Sequence, residues 1–220
     1  MNEERHATRF EPRWPVALAV LAVTALHVAT PGRIRLLPIW VAFVTGFAVL
    51  VPMVAVGLTA ANARWLRVER AVTLLFFVVV GVSNIASLIN LIIVMLYRSA
   101  GISGQQLLAS STAVWVTNVL LFSMLYWQCD RGGPDGRVDE AAGRPDWLFP
   151  QESAPAETVP TGWRPTFIDY LYLGFSTATA FSTTDVIPLT GRAKALMMLE
   201  SALSLTSTVV VASRAINILR

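Results

Sequence analysis

Five long apolar stretches, joined by short polar links and one long polar segment, dominate the pattern of this 220-residue chain. The first four hold no charged residue, and all five have apolar residues on most faces, as a helix surrounded by lipid does. A helix needs about 20 mostly apolar residues to cross a bilayer. We therefore predict five transmembrane helices, over 14–30, 38–61, 71–97, 107–128 and 193–219.

The composition supports the same class. Hydrophobic residues make up 55% of the chain and charged residues 14%, whereas a soluble domain has about 25% charged residues. Arg5, Arg9 and Arg13 precede the first apolar stretch, as in a secretory signal, but no small-residue cleavage motif follows. We predict an all-α integral membrane protein that crosses the lipid bilayer several times and keeps its first helix.

Three regions follow from this pattern: a polar tail (1–13), a three-helix membrane region (14–106) and a C-terminal module (107–220). The module contains the long polar segment 129–167, which is rich in Gly and Pro and holds seven of the chain's fourteen carboxylates. Such a composition is typical of a solvated linker. Its exceptions, for which we predict anchoring at the membrane interface, are Trp147, Leu148, Phe149 and Trp163.

Residues that carry enzymatic or metal chemistry are sparse. Cys129 is the single cysteine, and His27 stands alone in the first apolar stretch. One imidazole supplies one metal ligand, so a metal site is not expected. The sequence also lacks a phosphate-binding glycine loop, a zinc-protease pair and a nucleophile elbow. We predict no enzyme, no cofactor and no nucleic-acid partner.

The C-terminal module contains an amphipathic stretch, 167–181, that is too short to span a bilayer. A hydroxyl-rich segment, 182–188, separates it from the last helix, 193–219. Non-helical backbone at membrane depth persists only where protein buries it or water reaches it. We therefore predict a re-entrant helix ending in a filter-like loop, with several copies of the chain around a wet axis.

This module resembles the pore region of bacterial two-transmembrane-type potassium channels. The resemblance covers 107–219 and implies an outer helix, the polar loop 129–167, a pore helix (167–181), a filter-like loop (182–188) and an inner helix (193–219). It also implies a homotetramer that conducts monovalent cations across the cell (plasma) membrane. The residues that match without gaps are Tyr172, Phe175, Thr177, Thr179, Asp185, Pro188, Leu199, Glu200 and Arg214.

The filter itself departs from the family. The positions of its two glycines hold Ser182 and Thr184, and a left-handed backbone at a β-branched residue costs about 1–2 kcal/mol. A ladder of carbonyl ligands is therefore disfavoured, and a wider, partly hydrated, weakly selective site is expected. A ring of carboxylates at Asp185 would favour cations. The predicted pore-lining residues are Ala180, Phe181, Ser182, Thr183, Thr184 and Asp185.

Several candidates allow two interpretations. Asp185 is either a carboxylate at the pore mouth or an acceptor for neighbouring backbone. Glu200 is a functional candidate, because an acid inside the membrane is costly, or else it pairs with Lys194 or Arg192. Ser204 and Thr208 either line the inner cavity or pack between helices. The amides predicted to join helices are Asn84, Asn90 and Asn118.

The leading functional hypothesis is a homotetrameric cation channel with an altered filter. The alternatives are a non-conducting relative that serves as a scaffold or partner-binding subunit, and a small membrane transporter. The resemblance puts the pore loop outside the cell, and four preceding helices then put the N-terminus there too. The positive-inside rule mildly opposes this orientation. The arginines on the outer side would be Arg5, Arg9, Arg13, Arg64, Arg67 and Arg70, and those on the cytoplasmic side Arg33, Arg35, Arg98, Arg214 and Arg220. Either a span is miscounted, or the bias is overridden, or the loop is cytoplasmic and the molecule is inverted.

Overall fold

The computed structural model is mostly helical and describes residues 11–32, 34–35, 37–58, 63–97, 103–137, 143–179 and 185–218, with the backbone alone at 63 and 214–218. A 3-10 turn, Asp130–Gly132, directly follows the fourth helix. In chain order the other elements are α1 (Trp14–Ala29), α2 (Ile39–Leu58), α3 (Ala63–Tyr97), α4 (Gly104–Cys129), β1 (Trp147–Leu148), α5 (Pro150–Ser153), α6 (Phe167–Thr179), β2 (Ile187–Pro188) and α7 (Gly191–Ile218).

Four of the described helices, α2, α3, α4 and α7, are long and apolar enough to cross a membrane. The chain is therefore compatible with the predicted multi-pass, all-helical membrane protein. Helix α1 has 16 residues, fewer than the roughly 20 that a perpendicular span needs. Pro15 lies in its first turn, where the missing N–H costs no hydrogen bond.

The outward faces of the first three helices are apolar. Side chains such as Trp40, Phe47 and Val78 are more than half exposed. A surface of this kind would drive aggregation in water, but lipid chains solvate it well. The burial pattern therefore agrees with the membrane class that composition predicts.

Helix α3 begins earlier than the apolar pattern indicates. We predicted a link over 62–70 and a helix from 71, whereas the helix begins at Ala63. Arg and Glu are good helix formers, and the added turns have partners elsewhere in the chain. Glu69 pairs with Arg13 at 2.7 Å, and Arg70 donates a hydrogen bond to the carbonyl of Gly132. These contacts explain why the helix begins about two turns before its apolar part.

Helix α4 is the central element, packing against α1, α3, α6 and α7. Ser103 caps its first turn through a reciprocal pair of hydrogen bonds with Gln106. Near its other end Tyr126 and Trp127 are completely buried. Because α4 has protein on most sides, its position determines where α6 and α7 lie.

Two aromatic residues of the polar segment, which we excepted from the linker prediction, are packed into the core. Trp147 and Phe149 are 0% and 2% exposed, with rings 4.9 Å and 5.3 Å from those of Tyr126 and Tyr170, respectively. Their predicted role as interfacial anchors is therefore wrong. Most side chains in 150–164 are exposed, as a solvated linker requires.

Helices α1 and α2 approach each other closely at Gly46, and a substitution there tests this contact. A Cβ atom there would lie 2.8 Å from Oγ1 of Thr24. We expect Gly46→Ala to destabilise the protein by about 1–3 kcal/mol through overpacking, measured as thermal unfolding in detergent micelles. Gly57→Ala is the matched control, because nothing lies within 4 Å of its Cβ position. Equal stability of the two variants would contradict the packing, and adding Thr24→Ala should relieve the clash.

Candidate functional site

The structure describes both flanks of the predicted filter. Helix α6 ends at Thr179, and the next residue that the structure describes is Asp185. Its side chain is exposed, next to the buried Val186. The last two residues of the predicted pore helix and most of the predicted filter lie outside the described residues. These are Ala180, Phe181, Ser182, Thr183 and Thr184.

The two segments that flank α6 meet at a short antiparallel pair. Strand β1 precedes α6 and strand β2 follows it, with Trp147 opposite Pro188 and Leu148 opposite Ile187. The amide of Leu189 also donates to the carbonyl of Asp146 at 2.8 Å. The chain that runs into α6 and the chain that leaves it therefore lie side by side.

Two carboxylates stabilise the first turn of α6. Oδ2 of Asp169 accepts hydrogen bonds from the amide of Thr166 at 2.7 Å and from its hydroxyl at 2.9 Å. Glu11, far away in sequence, accepts a hydrogen bond from the amide of Phe167 at 3.0 Å. Free amides and the positive end of the helix dipole both favour negative charge at a helix start.

Glu11 also joins three other parts of the chain. The same oxygen, Oε1, accepts from the indole of Trp127 at 2.6 Å, and Oε2 pairs with Arg137 at 2.7 Å. The Arg137 side chain is 3% exposed, and its guanidinium lies 5.0 Å from the ring centre of Tyr170. This cluster, Glu11 with Trp127, Arg137 and Phe167, is the Glu11 cluster. Sequence reasoning missed it because Glu11 falls in an ordinary polar tail.

Asp130 and Asp146 connect α4, α6 and α7 beside this cluster. Asp130 is completely buried and accepts from the hydroxyl of Tyr170 at 2.5 Å and from the amide of Asp146 at 2.7 Å. Asp146 accepts from the hydroxyl of Thr190 at 2.5 Å and forms an ion pair with Arg192. The carboxylates thus hold the start of α7 against the end of α4.

Arg13 ties α1 to the same end of the molecule. It pairs with Glu69 at 2.7 Å and with Asp135 at 2.9 Å. Burial alone lowers the pKa of Arg13, but the hydrogen bonds and charges of the two carboxylates outweigh it and raise the pKa above its ordinary value. The guanidinium therefore stays charged, and its charge is balanced locally.

Glu200 lies in the interior of α7, where it is 0% exposed. Its Oε2 accepts a hydrogen bond from the hydroxyl of Tyr126. The predicted pairing with Lys194 or Arg192 is wrong: Arg192 binds Asp146 instead, and the carboxyl faces α4. The sequence did not indicate Tyr126 as its partner, because nothing in an apolar stretch marks one tyrosine among others.

Further polar groups surround this carboxyl. The amide of Asn118 donates to the hydroxyl of Ser204 at 2.8 Å and to the backbone oxygen of Glu200 at 3.4 Å. Among the buried oxygens that have no hydrogen-bond partner in the described part of the chain are Oδ1 of Asn118, Oγ1 of Thr177 and Oε1 of Glu200. Buried polar atoms in such a position are commonly satisfied by ordered water.

Gly174 lets α6 approach this polar group closely. A Cβ atom at Gly174 would come within 3.0 Å of the hydroxyl of Ser123. It would also lie 3.3 Å from the carbonyl of Val119 and 3.4 Å from Oε1 of Glu200. The absence of a side chain is therefore required, and the back of α6 rests directly on α4 and α7.

The predicted inner-helix residues differ in their burial along α7. Glu200 and Ser204 are buried against α4, whereas Thr208 is exposed. Thr208 lines a shallow hollow with Thr179, Thr112 and Trp115. Only Thr208 therefore remains available to line a space outside the single chain.

The predicted interhelical role agrees with the contacts of Asn84 and Asn118, whereas Asn90 joins its helix to the link between α1 and α2. Asn84 of α3 donates to the carbonyl of Val114 in α4 at 3.3 Å. Asn90 of α3 donates to the carbonyl of Ile34 at 3.0 Å, and Asn118 joins α4 to α7. These amides hold elements together, which is the structural rather than the ion-binding interpretation.

An exposed apolar face remains on α6 and α7. Tyr172 and Phe175 of α6 are 54% and 51% exposed. Met198 and Val209 of α7 are 73% and 59% exposed.

Comparisons of the chain with models of protein families, with curated proteins and with solved structures found no match.

Proposed function

We propose that the protein is a homotetrameric channel that passes monovalent cations across the cell membrane with weak or altered selectivity. The observation that carries this proposal is the course of the chain around α6. A 13-residue helix lies between two long apolar helices, and the segments on its two sides pair with each other.

The length of α6 supports a re-entrant path. Thirteen residues give a helix of about 20 Å, shorter than the roughly 30 Å hydrocarbon core of a bilayer. With β1 and β2 side by side, the chain enters and leaves on one side. We propose that the chain turns back between α6 and β2, and non-helical backbone at membrane depth requires water or protein around it.

The exposed apolar face on α6 and α7 supports several copies around one axis. Closed symmetry buries the same patch in every subunit. In a tetramer Thr208 would face the inner cavity, and the hydroxyls of 182–184 would surround the axis. Asp185, exposed in the single chain, would supply a ring of carboxylates that favours cations over anions.

The lost glycines define the expected selectivity. Selective potassium filters replace the hydration shell of the ion with backbone carbonyls. Ser182 and Thr184 stand where glycines would allow that backbone. Ions would therefore pass with part of their water, and potassium and sodium would be poorly distinguished.

The ion pairs also bear on membrane orientation. Arg13 is one of the arginines whose positive charge argues against a pore loop on the outer side of the membrane. Its charge is balanced by the carboxylates of Glu69 and Asp135. Arg131 and Arg137 at the same end pair with carboxylates as well. We propose that the polar segment and the N-terminus face outward. Labelling an N-terminal tag in intact cells tests this, and a tag reached only after permeabilisation would reverse the orientation.

Flux through liposomes that contain the purified protein tests conduction. We expect cation flux with little preference between potassium and sodium. Asp185→Asn should lower the flux at low ionic strength by on the order of two- to tenfold, since a carboxylate ring concentrates cations. Glu157→Gln, which changes a carboxylate in the exposed stretch 150–164, is the matched control and should leave the flux unchanged. Thr184→Ala should change the ratio of potassium to sodium flux.

Other outcomes favour the alternatives. A tetramer without flux favours the non-conducting scaffold, for which the missing filter glycines also argue. A monomer that exchanges a solute favours a small transporter. Flux that ignores both Asp185→Asn and Thr184→Ala contradicts a pore through this segment.

A further inference from the structure

A cavity with a mixed polar and apolar lining lies among α1, α2, α3 and α4, away from α6 and α7. Its volume is about 40 Å³, and it is partly open. A single water needs roughly 10–15 Å³ of such space, so the cavity has room for a group larger than one water. Its polar lining residues are Thr24, His27, Thr30, Thr45, Ser83, Asn84, Ser87 and Thr117.

Two polar atoms in this lining have no partner in the described part of the chain. Ser83 is 6% exposed, and its hydroxyl makes no hydrogen bond. Nε2 of His27 is also buried without one. By contrast, the hydroxyls of Thr24 and Thr45 donate to carbonyls of their own helices. Leaving a buried polar group unpaired is costly, so Ser83 and His27 together indicate a hydrogen-bonding occupant.

The rest of the lining limits the chemistry of that occupant. All the lining residues are described, and none is Asp, Glu, Lys or Arg. A cation would therefore lose its hydration without gaining a counter-charge, and the nearby Arg35, outside the lining, donates to the backbone carbonyl of His27 at 3.5 Å. Apolar side chains such as Phe76, Val79 and Val80 form the remaining wall. An uncharged polar group attached to a hydrocarbon tail matches both the polar and the apolar part of the lining.

We propose that this cavity binds the hydroxyl or carbonyl group of an uncharged amphiphile. The polar group exchanges hydrogen bonds with Ser83 and His27, and the tail lies along the apolar wall. The occupant is either a membrane lipid with a neutral head or a free alcohol. No lining residue belongs to α6 or α7, so binding at this site can be tested without a measurement of conduction.

Photolabelling of the purified full-length protein with a diazirine derivative of octanol tests the site. We expect the label on peptides that contain His27 and Phe76, with competition by octanol and none by octane. Competition by a neutral diacylglycerol added in the same detergent identifies a lipid source, and competition by octanol alone identifies a free alcohol. Label spread evenly over outward residues such as Phe47 and Val78 would overturn the proposal.

Variants distinguish binding from simple partition into the micelle. Ser83→Ala should reduce labelling roughly two- to tenfold, the effect of one lost hydrogen bond. Ser111→Ala is the matched control, because this buried hydroxyl already donates to Leu107 and lies outside the cavity. Ala113→Leu should fill the cavity and abolish labelling, whereas Ala109→Leu, on the exposed side of α4, should not. Labelling unaffected by both Ser83→Ala and Ala113→Leu would refute the site.

Discussion

Replacing Arg137 by methionine is expected to destabilise the protein by about 3–5 kcal/mol, the effect of breaking a buried ion pair from one side. Glu11 would keep hydrogen bonds from Trp127 and Phe167 but lose its only cationic partner among the described residues. The Glu11 side chain is only 10% exposed, so solvent does not replace the lost partner. Thermal and denaturant unfolding in detergent micelles measures the change.

A double-variant cycle identifies the cause. Arg137→Met combined with Glu11→Gln removes the uncompensated charge, so we expect it to recover part of the lost stability. Arg144→Met, at an exposed position in the same polar segment, is the matched control and should change stability by no more than about 0.5 kcal/mol. If Arg137→Met resembled Arg144→Met, the polar segment would not be held by the Glu11 cluster.

Giving Gly174 a side chain is expected to separate α6 from α4 and α7. Even alanine would crowd the hydroxyl of Ser123, the carbonyl of Val119 and the carboxyl of Glu200. Overpacking of this kind costs about 1–3 kcal/mol, and Gly174→Val should cost more. We expect a lower unfolding temperature in micelles for both variants and, in the proposed channel, reduced flux from a displaced filter segment.

The surroundings of Gly174 supply its controls. Gly191→Ala, near whose Cβ position nothing lies within 4 Å, should leave stability nearly unchanged. Ser123→Ala removes the nearest atom and should partly rescue Gly174→Ala but not Gly174→Val. A fully stable Gly174→Val would mean that α6 does not rest on the Glu200 region.

The sequence alone was sufficient for the mostly helical, apolar class that is compatible with a membrane and for the approximate helix positions. Hydrophobicity is a local property, so each apolar stretch indicates its own helix wherever its neighbours lie. Helices α2, α4 and α7 begin and end within about three residues of the predicted limits. The short helix between α4 and α7 was also predicted, since its length and amphipathic pattern are local features. The functional assignment drawn from them stays a prediction.

Charged side chains were harder to predict, because their partners lie far away in sequence. The sequence predicted that Glu69 lies in a link, but it belongs to α3 and forms an ion pair with Arg13. Trp147 and Phe149 lie in a polar segment, but the rings of Tyr126 and Tyr170 bury them. Composition averages over a segment and does not reveal which of its residues meet a distant element.

The sequence determined that most of the chain is apolar helix compatible with a bilayer, that its C-terminal module has a short helix between two long ones, and that Glu200 is an acid inside the last helix. Only the tertiary structure decided that Glu200 faces Tyr126 rather than a cation, and that Glu11 lies at the start of α6. The physical reason is the distance along the chain over which each effect operates. The pattern of apolar and polar residues determines structure over a few helical turns, whereas a buried carboxyl is stabilised by whichever hydrogen-bond donors the folded chain brings to it.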